Sequence, residues 1–174
     1  MNKQYSHAVK NVSNVPGKTA TLKPGTGFAL GPLEVNVIFT DQASTAAALA
    51  CARSLARDLG ARIHLQYAVA VPFQLPLERP GVSVAFLQEQ LSEVLADLEK
   101  DGFDPRAHLY LCRDRGRALR QALKPNSLVV IGGRKRWWPT PESRIAGALR
   151  AKGHRVIYVD SKAPAALEPA MISR

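Results

Sequence analysis

The chain has 174 residues and two cysteines. A domain of this length buries about two-thirds of the surface that its unfolded chain exposes, so it can fold without disulfides or metals. No apolar run approaches the ~18 residues that a membrane helix needs, and the N-terminus has no signal-peptide core, which argues against a membrane protein and predicts a cytoplasmic one.

The net charge is +10, and it is unevenly distributed along the chain. Residues 1–33 carry four lysines and no acid, residues 113–155 carry twelve Lys or Arg against two acids, and residues 78–104 carry seven acids against two bases. One strongly basic face favours an anionic partner, which is a nucleotide, a nucleic acid or an acidic protein. A protein that is basic without such a partner is the alternative.

The cysteines, Cys51 and Cys112, lie far apart in the sequence. Neither belongs to a Cys-x-x-Cys motif, and neither has a histidine at metal-ligand spacing. We therefore expect two small buried side chains in a reducing compartment, and no disulfide, redox pair or metal site.

Regular patterns begin only at residue 34. Scattered glycines and prolines interrupt residues 1–33, which predicts a basic, loop-rich N-terminal extension. The segment 34–161 is predicted to form one α/β domain, and residues 162–174, with two prolines, a weakly held tail. Within the domain, short apolar runs predict five strands, at residues 35–40, 62–71, 107–112, 128–131 and 155–160.

Four helices separate these strands. The first begins at a cap, Asp41 or Ser44, and ends at Gly60. Apolar stripes and stop signals predict the others at residues 84–98, 117–123 and 142–151. Strands that alternate with helices imply right-handed crossovers, and so a parallel sheet covered by helices on both faces.

Two strand ends carry groups that can bind a ligand. Thr40-Asp41-Gln42 follows the first strand, and Gly132-Gly133-Arg134-Lys135-Arg136 follows the fourth. In an open α/β sheet, ligands bind beyond the carboxyl ends of the strands, where the strand order reverses. If these two strands are neighbours, a carboxylate faces a glycine-lined cationic loop across a crevice.

The residues of this crevice offer chemistry suited to a nucleotide. Asp41 can accept hydrogen bonds from a ribose hydroxyl or a base amine, and Gly132 and Gly133 can let the backbone approach a phosphate. The alternatives are a plain helix cap for Asp41 and a tight strand exit without a ligand for the two glycines.

The rest of the loop adds charge and aromatic surface. Lys135 or Arg136 can neutralise a phosphate, and Ser143 can add a hydroxyl at the start of the last helix. Trp137 and Trp138 form either a stacking platform for bases or a hydrophobic lid or dimer patch.

Little in the sequence supports catalysis. The four histidines are scattered, no Ser or Cys lies in a recognisable nucleophile turn, and no pair of acids has a spacing suited to general acid–base work. We expect His64 and His108 to be packed structural residues within strands, and the protein not to be an enzyme.

Three motifs and the order of the elements carry a family resemblance. The motifs are Val-Ile-Phe-Thr-Asp41-Gln-Ala-Ser44, the Arg-Asp-Arg-Gly116 turn before the third helix, and Leu-Val-Val-Ile-Gly132 followed by a loop, a helix and a closing strand. Over residues 34–161 the chain thereby resembles the universal stress protein family. The resemblance implies a three-layer α/β sandwich with five parallel strands in the order 3-2-1-4-5, and a homodimer formed through the last strand.

Some members of that family bind ATP through the pattern G-x-x-G-x9-G-[ST] after the fourth strand. This chain keeps the first glycine as Gly132 but has Lys135 at the second. Six residues (136–141) then replace nine, and the closing pair is Glu142-Ser143, of which only the serine fits. The resemblance therefore implies a degenerate site for ATP, another nucleotide or another anion, with Asp41 where the family has its nucleoside-contacting aspartate.

The sequence predicts one candidate site and favours two main hypotheses of function. The first hypothesis is a non-catalytic regulatory module of the stress response. The second is an RNA- or ribosome-associated protein that uses the basic face of residues 113–155 and the N-terminal arm; a weak nucleotide hydrolase is a third reading. The candidate site for a nucleotide or anion comprises Thr40, Asp41, Gln42, Val69, Gly132, Gly133, Arg134, Lys135, Arg136 and Ser143.

Overall fold

The computed structural model describes residues 10–14, 33–77 and 79–162. The strands in this part of the chain are β1 (Lys10–Asn14), β2 (Glu34–Ile38), β3 (Arg62–Ala70), β4 (Arg106–Cys112), β5 (Leu128–Gly133) and β6 (Arg155–Asp160). The helices are α1 (Gln42–Leu59), α2 (Val84–Lys100), α3 (Arg115–Ala122) and α4 (Pro141–Arg150).

The sheet has the order β1-β4-β3-β2-β5-β6. Strands β2 to β6 are the five predicted ones; they are parallel, and their order is the predicted 3-2-1-4-5. The fold class is therefore confirmed.

One strand was not predicted. Lys10–Asn14 pairs antiparallel with β4, with a shift of register between Asn11 and Ser13. The expectation of a loop-rich extension over residues 1–33 is thus corrected for these five residues, whose polar sequence has no apolar alternation to indicate a strand. Residues 1–9, 15–32 and 163–174 lie outside the described part, so the expected tail does too.

The helix boundaries follow local capping chemistry. Helix α1 begins after Asp41 and ends at Gly60, whose φ of +58° suits a glycine at this position. Helix α3 begins two residues earlier than predicted, because the side chain of Asp114 accepts a hydrogen bond from the amide of Arg117 at 2.9 Å. Helix α4 begins with Pro141 after a Thr140 cap.

Two apolar cores lie on opposite faces of the sheet. Helices α1 and α2 cover one face, and α3 and α4 cover the other, which gives three layers. The first core is built around Val35, Val37, Ile63, Leu65, Leu91 and Leu98, and the second around Ile38, Leu119, Val129, Ile131 and Leu149. Strands β2 and β5 lie in the middle of the sheet and are buried on both faces, as their near-continuous apolar runs predict.

A buried polar row crosses three strands of the sheet. The side-chain amide of Gln66 donates to Asn36 Oδ1 at 2.9 Å, and Tyr110 OH donates to Gln66 Oε1 at 3.1 Å. His64 and His108 lie beside this row with their ring centroids 5.8 Å apart. His64 is buried and His108 half-buried, which agrees with the expectation that both are packed within strands.

The two cysteines differ in burial. Cys112 is buried as expected, whereas Cys51 is only half-buried, and both are free thiols. Burial raises the pKa of the Cys112 thiol to about 11, so this side chain stays protonated at neutral pH. Among residues 33–77 and 79–162, no helix is long and apolar enough to cross a bilayer.

Candidate functional site

The Asp41 turn and the glycine pair meet at the same edge of the sheet. Strands β2 and β5 are hydrogen-bonded neighbours, with Val35 opposite Leu128 and Ile38 opposite Ile131. Beyond these pairs, the Thr40 hydroxyl donates a hydrogen bond to the carbonyl oxygen of Gly132 at 3.2 Å. The strand order reverses between β2 and β5, so the predicted crevice lies at the reversal point.

Asp41 caps helix α1. Its Oδ1 accepts a hydrogen bond from the amide of Ser44 at 3.0 Å, which satisfies one of the free N–H groups at the helix start. Burial by itself raises the pKa of Asp41, but hydrogen bonds from Ser44 and Ala43 and the charge of Arg134 outweigh it and hold the pKa below its ordinary value. Asp41 is therefore an anionic acceptor at neutral pH.

The two glycines have packing roles that the sequence did not reveal. A Cβ on Gly132 would lie 1.8 Å from the backbone carbonyl oxygen of Ser44, so only glycine lets β5 pass this close to α1. A Cβ on Gly133 would lie 2.2 Å from the hydroxyl of Tyr158. Both glycines also continue the ladder with β6, opposite Val159 and Asp160, which is why β5 extends two residues beyond its predicted end. Close packing explains both glycines without a phosphate.

A cleft opens beside Asp41 at the carboxyl edge. This "Asp41 cleft" has a volume of about 300 Å³. It brings together two carboxylates, two guanidinium groups and an indole, with the first turn of α4. Its lining residues are Asp41, Gly133, Arg134, Arg136, Trp138, Pro139, Thr140, Pro141 and Glu142.

A second cavity adjoins the Asp41 cleft. This "Arg150 cavity" has a volume of about 310 Å³. It shares Arg134, Arg136, Trp138 and Thr140 with the Asp41 cleft. Its remaining lining residues are Lys135, Ser143, Ala146, Arg150 and Tyr158.

The loop of residues 134–139, here called the cationic loop, displays its aromatic side chains to solvent. Trp137 is 91% exposed and Trp138 is 44% exposed. Their rings meet edge to face, with the ring centroids 4.9 Å apart. The Arg136 guanidinium carbon lies 5.2 Å from the Trp138 ring centroid. The exposure of Trp137 argues against the predicted lid over the core, whereas the stacking platform and the dimer patch stay predictions.

The other predicted site residues are distributed around this region. Lys135 and Ser143 line only the Arg150 cavity, and the Ser143 hydroxyl already donates to the Thr140 carbonyl oxygen at 2.9 Å. Gln42 lines a separate cavity of about 460 Å³, which Asp41 also borders. Val69 packs against the first apolar core and lines neither the Asp41 cleft nor the Arg150 cavity.

Sequence reasoning missed Arg150 and Tyr158. Ser143, Ala146 and Arg150 are three and four residues apart on α4, so they share one helix face. That spacing was readable from the sequence once the helix was placed. Tyr158 on β6 was not accessible in this way, because its contact with the loop depends on the pairing of β6 with β5.

A larger cavity of about 750 Å³ lies at the amino-terminal edge of the sheet, at the opposite end of β2, β5 and β6. Its walls include the exposed side chains of Leu33 and Leu59. Lys124 and Glu34 also line it, but they pair with each other at 2.6 Å, so their charges already have partners. The Asp41 cleft is the better candidate, because it lies at the carboxyl ends of the strands, where the strand order reverses.

The described histidines lie away from the cleft. His64 and His108 are the third residues of their parallel strands, and His154 precedes β6, so all three lie toward the amino-terminal edge. In the part of the chain that the structure describes, no three His, Cys, Asp or Glu side chains cluster at distances suited to a metal ion. The groups that line the Asp41 cleft include two guanidinium groups and an indole, which are suited to binding an anion and a base.

With this geometry, the chain has the fold of solved universal stress proteins. One similar structure is a protein from the universal stress protein family from Burkholderia pseudomallei, with 21% sequence identity, a TM-score of 0.53, and coverage of 72% of this chain and 94% of that chain. Another is a universal stress protein from Archaeoglobus fulgidus, with 17% identity, a TM-score of 0.55, and coverage of 74% of this chain and 93% of that chain. No family model and no curated protein matches the sequence. The resemblance carried by the sequence motifs is thus confirmed at the level of the fold.

Proposed function

We propose that this chain is a non-catalytic binding module of the universal stress protein type, which holds a nucleotide or a related anion in the Asp41 cleft. The observation that carries the proposal is the shared cavity of Asp41, Arg134 and Arg136 at the point where the strand order reverses. We propose the stress-related role because the two similar structures are of universal stress proteins.

Each wall of the cleft has a role in this proposal. Arg134 and Arg136 present planar guanidinium groups, which match phosphate oxygens in charge and geometry. Asp41 accepts a hydrogen bond from a sugar hydroxyl, and the face of Trp138 stacks on a base. Glu142 also borders the cleft, so the phosphate is expected on the arginine side, away from this carboxylate.

The arginines take the place of the glycines that an ATP loop of this family would use. A glycine-rich loop binds phosphate through backbone N–H groups, whereas here the Cβ positions of Gly132 and Gly133 are filled by Ser44 and Tyr158. Side-chain charge is therefore the proposed source of affinity, and binding should weaken with added salt.

We include two further features in the proposal. The chain forms a homodimer through β6, because this strand lies at the end of the sheet and pairs only with β5 among the described strands. The module acts in the cytoplasm, where its two free thiols remain reduced. Light scattering at micromolar concentration would find twice the monomer mass, and a monomer would contradict the dimer.

Isothermal titration with ATP and ADP tests the binding site. Arg134→Ala should weaken binding at least tenfold, because it removes one charge-assisted contact worth about 1.5–3 kcal/mol. Arg144→Ala is the matched control: it removes an exposed arginine of α4 that lines neither the Asp41 cleft nor the Arg150 cavity, and it should leave the affinity unchanged. No saturable heat from folded protein at millimolar nucleotide, or equal losses in both variants, would overturn the proposal.

A further inference from the structure

Trp137 has no role in the Asp41 cleft. It is 91% exposed, it lines neither cavity, and its contact with Trp138 is an edge-to-face contact at 4.9 Å. The indole presents a large flat surface to solvent at the tip of the cationic loop. Such a surface is the kind of platform on which an unpaired base stacks.

The charge around Trp137 is available to an anion. All four ion pairs of the described residues lie elsewhere, at Arg53, Arg62, Lys100 and Lys124. Arg134, Lys135 and Arg136 precede Trp137 in the cationic loop, and Arg150 lines the Arg150 cavity together with them. None of these four cations has a carboxylate within ion-pair distance in the described part of the chain.

The two cavities adjoin each other, because they share four lining residues. Their volumes, about 300 Å³ and about 310 Å³, are each at the lower end of the range for a small-ligand pocket, so each suits one nucleotide unit. Arg134 and Arg136 line both cavities, so a phosphate between two adjacent nucleotides has a guanidinium partner from either cavity. Two adjoining cavities of this size can therefore hold successive nucleotides of one strand.

We propose that the cationic loop binds single-stranded RNA, with successive nucleotides in the Asp41 cleft and the Arg150 cavity and a further base stacked on Trp137. The inference rests on the proposed function, because one nucleotide of the strand occupies the proposed site. Asp41 favours RNA over DNA, since its carboxylate can accept a hydrogen bond from the 2′-hydroxyl that DNA lacks.

Fluorescence anisotropy with a labelled oligouridine of about eight nucleotides tests the inference. The oligomer should bind more tightly than UMP, and Trp137→Ala should weaken it about fivefold to a hundredfold, the range found for loss of one base stack. Trp137→Phe, which keeps a smaller aromatic ring, should lose less affinity for the oligouridine than Trp137→Ala does. Phe86→Ala removes another exposed aromatic, on the acid-rich helix α2, and should bind as the wild type does.

The salt dependence of binding and the comparison of RNA with DNA oligomers provide two further tests. Binding should weaken steeply with salt, and Arg136→Ala should reduce the slope of log affinity against log salt by about one. The equivalent oligodeoxyuridine should bind more weakly, and Asp41→Asn should reduce this preference for RNA. Equal affinity for the oligouridine and the oligodeoxyuridine would overturn the assignment to RNA.

The outcomes separate this inference from the proposed function. Trp137→Ala should leave ATP and ADP binding unchanged, because Trp137 does not line the Asp41 cleft. If mononucleotides bind but the oligomer binds no more tightly, or if Trp137→Ala has no effect on the oligomer, the inference is wrong and the proposed function stands. If neither mononucleotide nor oligomer binds, both are wrong.

Discussion

The Thr40 hydroxyl donates a hydrogen bond to the carbonyl oxygen of Gly132 over 3.2 Å. This bond links the exits of two adjacent parallel strands, β2 and β5, at the point where the chain turns toward Asp41 on one side and Arg134 on the other. The carboxylate and the first cation of the loop are thereby held on the two sides of one cleft.

Gly132→Ala should strongly destabilise the protein. The new methyl group would lie 1.8 Å from the carbonyl oxygen of Ser44, which is backbone and cannot rotate away, so β5 and α1 must separate. We expect the free energy of unfolding to fall by about 3 kcal/mol, measured by urea denaturation. The matched control is Gly147→Ala in α4, where nothing lies within 4 Å of the added carbon. Gly147→Ala should be neutral or stabilising by up to about 1 kcal/mol. Equal losses of stability in the two variants would show that β5 and α1 do not approach each other as closely at Gly132 as the structure indicates.

Asp41 should make folding depend on acid pH. Because the pKa of Asp41 is lowered in the folded state, its stabilising effect is complete above the unfolded pKa of about 3.9 and is lost as the pH falls through the folded value. Asp41→Ala should cost about 0.5–2 kcal/mol at neutral pH through loss of the helix cap, measured as a change in the urea midpoint.

Asp41→Asn separates the cap from the charge. Asparagine is as good a cap as aspartate, so stability at neutral pH should stay close to that of the wild type. Its side chain does not titrate, so the loss of stability below about pH 4 should become smaller. If the wild type and Asp41→Asn lose the same stability below about pH 4, the charge of the Asp41 carboxylate contributes nothing to stability.

His64 and His108 should destabilise the protein as the pH falls below neutrality. Burial lowers the pKa of both rings, and although Glu34 opposes this, the charge of Arg106 adds to it; at His64, Lys124 and His108 contribute in the same direction. The unfolded chain takes up protons at about pH 6.5, before the folded chain does. Stability is therefore complete above that pH and declines below it, until the lowered folded pKa values are reached.

Urea midpoints at about pH 7.5 and about pH 5.5 measure this effect. A double variant, His64→Leu and His108→Leu, should lose most of the difference between the two pH values. Tyr110→Phe is the control from the same sheet face: it removes the hydrogen bond to Gln66 and about 1 kcal/mol of stability, but it should keep the pH difference. A double variant with an unchanged pH difference would contradict the assignment to these histidines.

The cationic loop should attract anions to the tryptophans. Trp137 and Trp138 are the two tryptophans of the chain, so tryptophan fluorescence, excited selectively over the four tyrosines, reports on this loop alone. Iodide should quench the emission more than caesium does, because the positive potential of the loop concentrates anions, and salt at about 1 M should reduce the difference. Replacing Arg134, Lys135 and Arg136 with alanine should abolish the preference for iodide. An equal response to both quenchers in the native protein would show that the loop has no net positive field.

The sequence by itself determined the order and type of the elements of the parallel domain. Hydrophobic periodicity and helix caps are local signals, and they were sufficient to place five strands and four helices, with Asp41 as one of two candidate caps of the first helix. The crossover rules then restricted the topology, so the two strand exits could be expected at one edge.

Only the tertiary structure decided the rest. Strand β1 is polar, and it is a strand because β4 offers it an edge for hydrogen bonding. Gly132 is needed because Ser44 approaches it, and Tyr158 reaches the loop because β6 pairs with β5. These features depend on contacts between residues distant in sequence, and a local pattern carries no record of such contacts, since sheet register and helix packing fix which atoms meet.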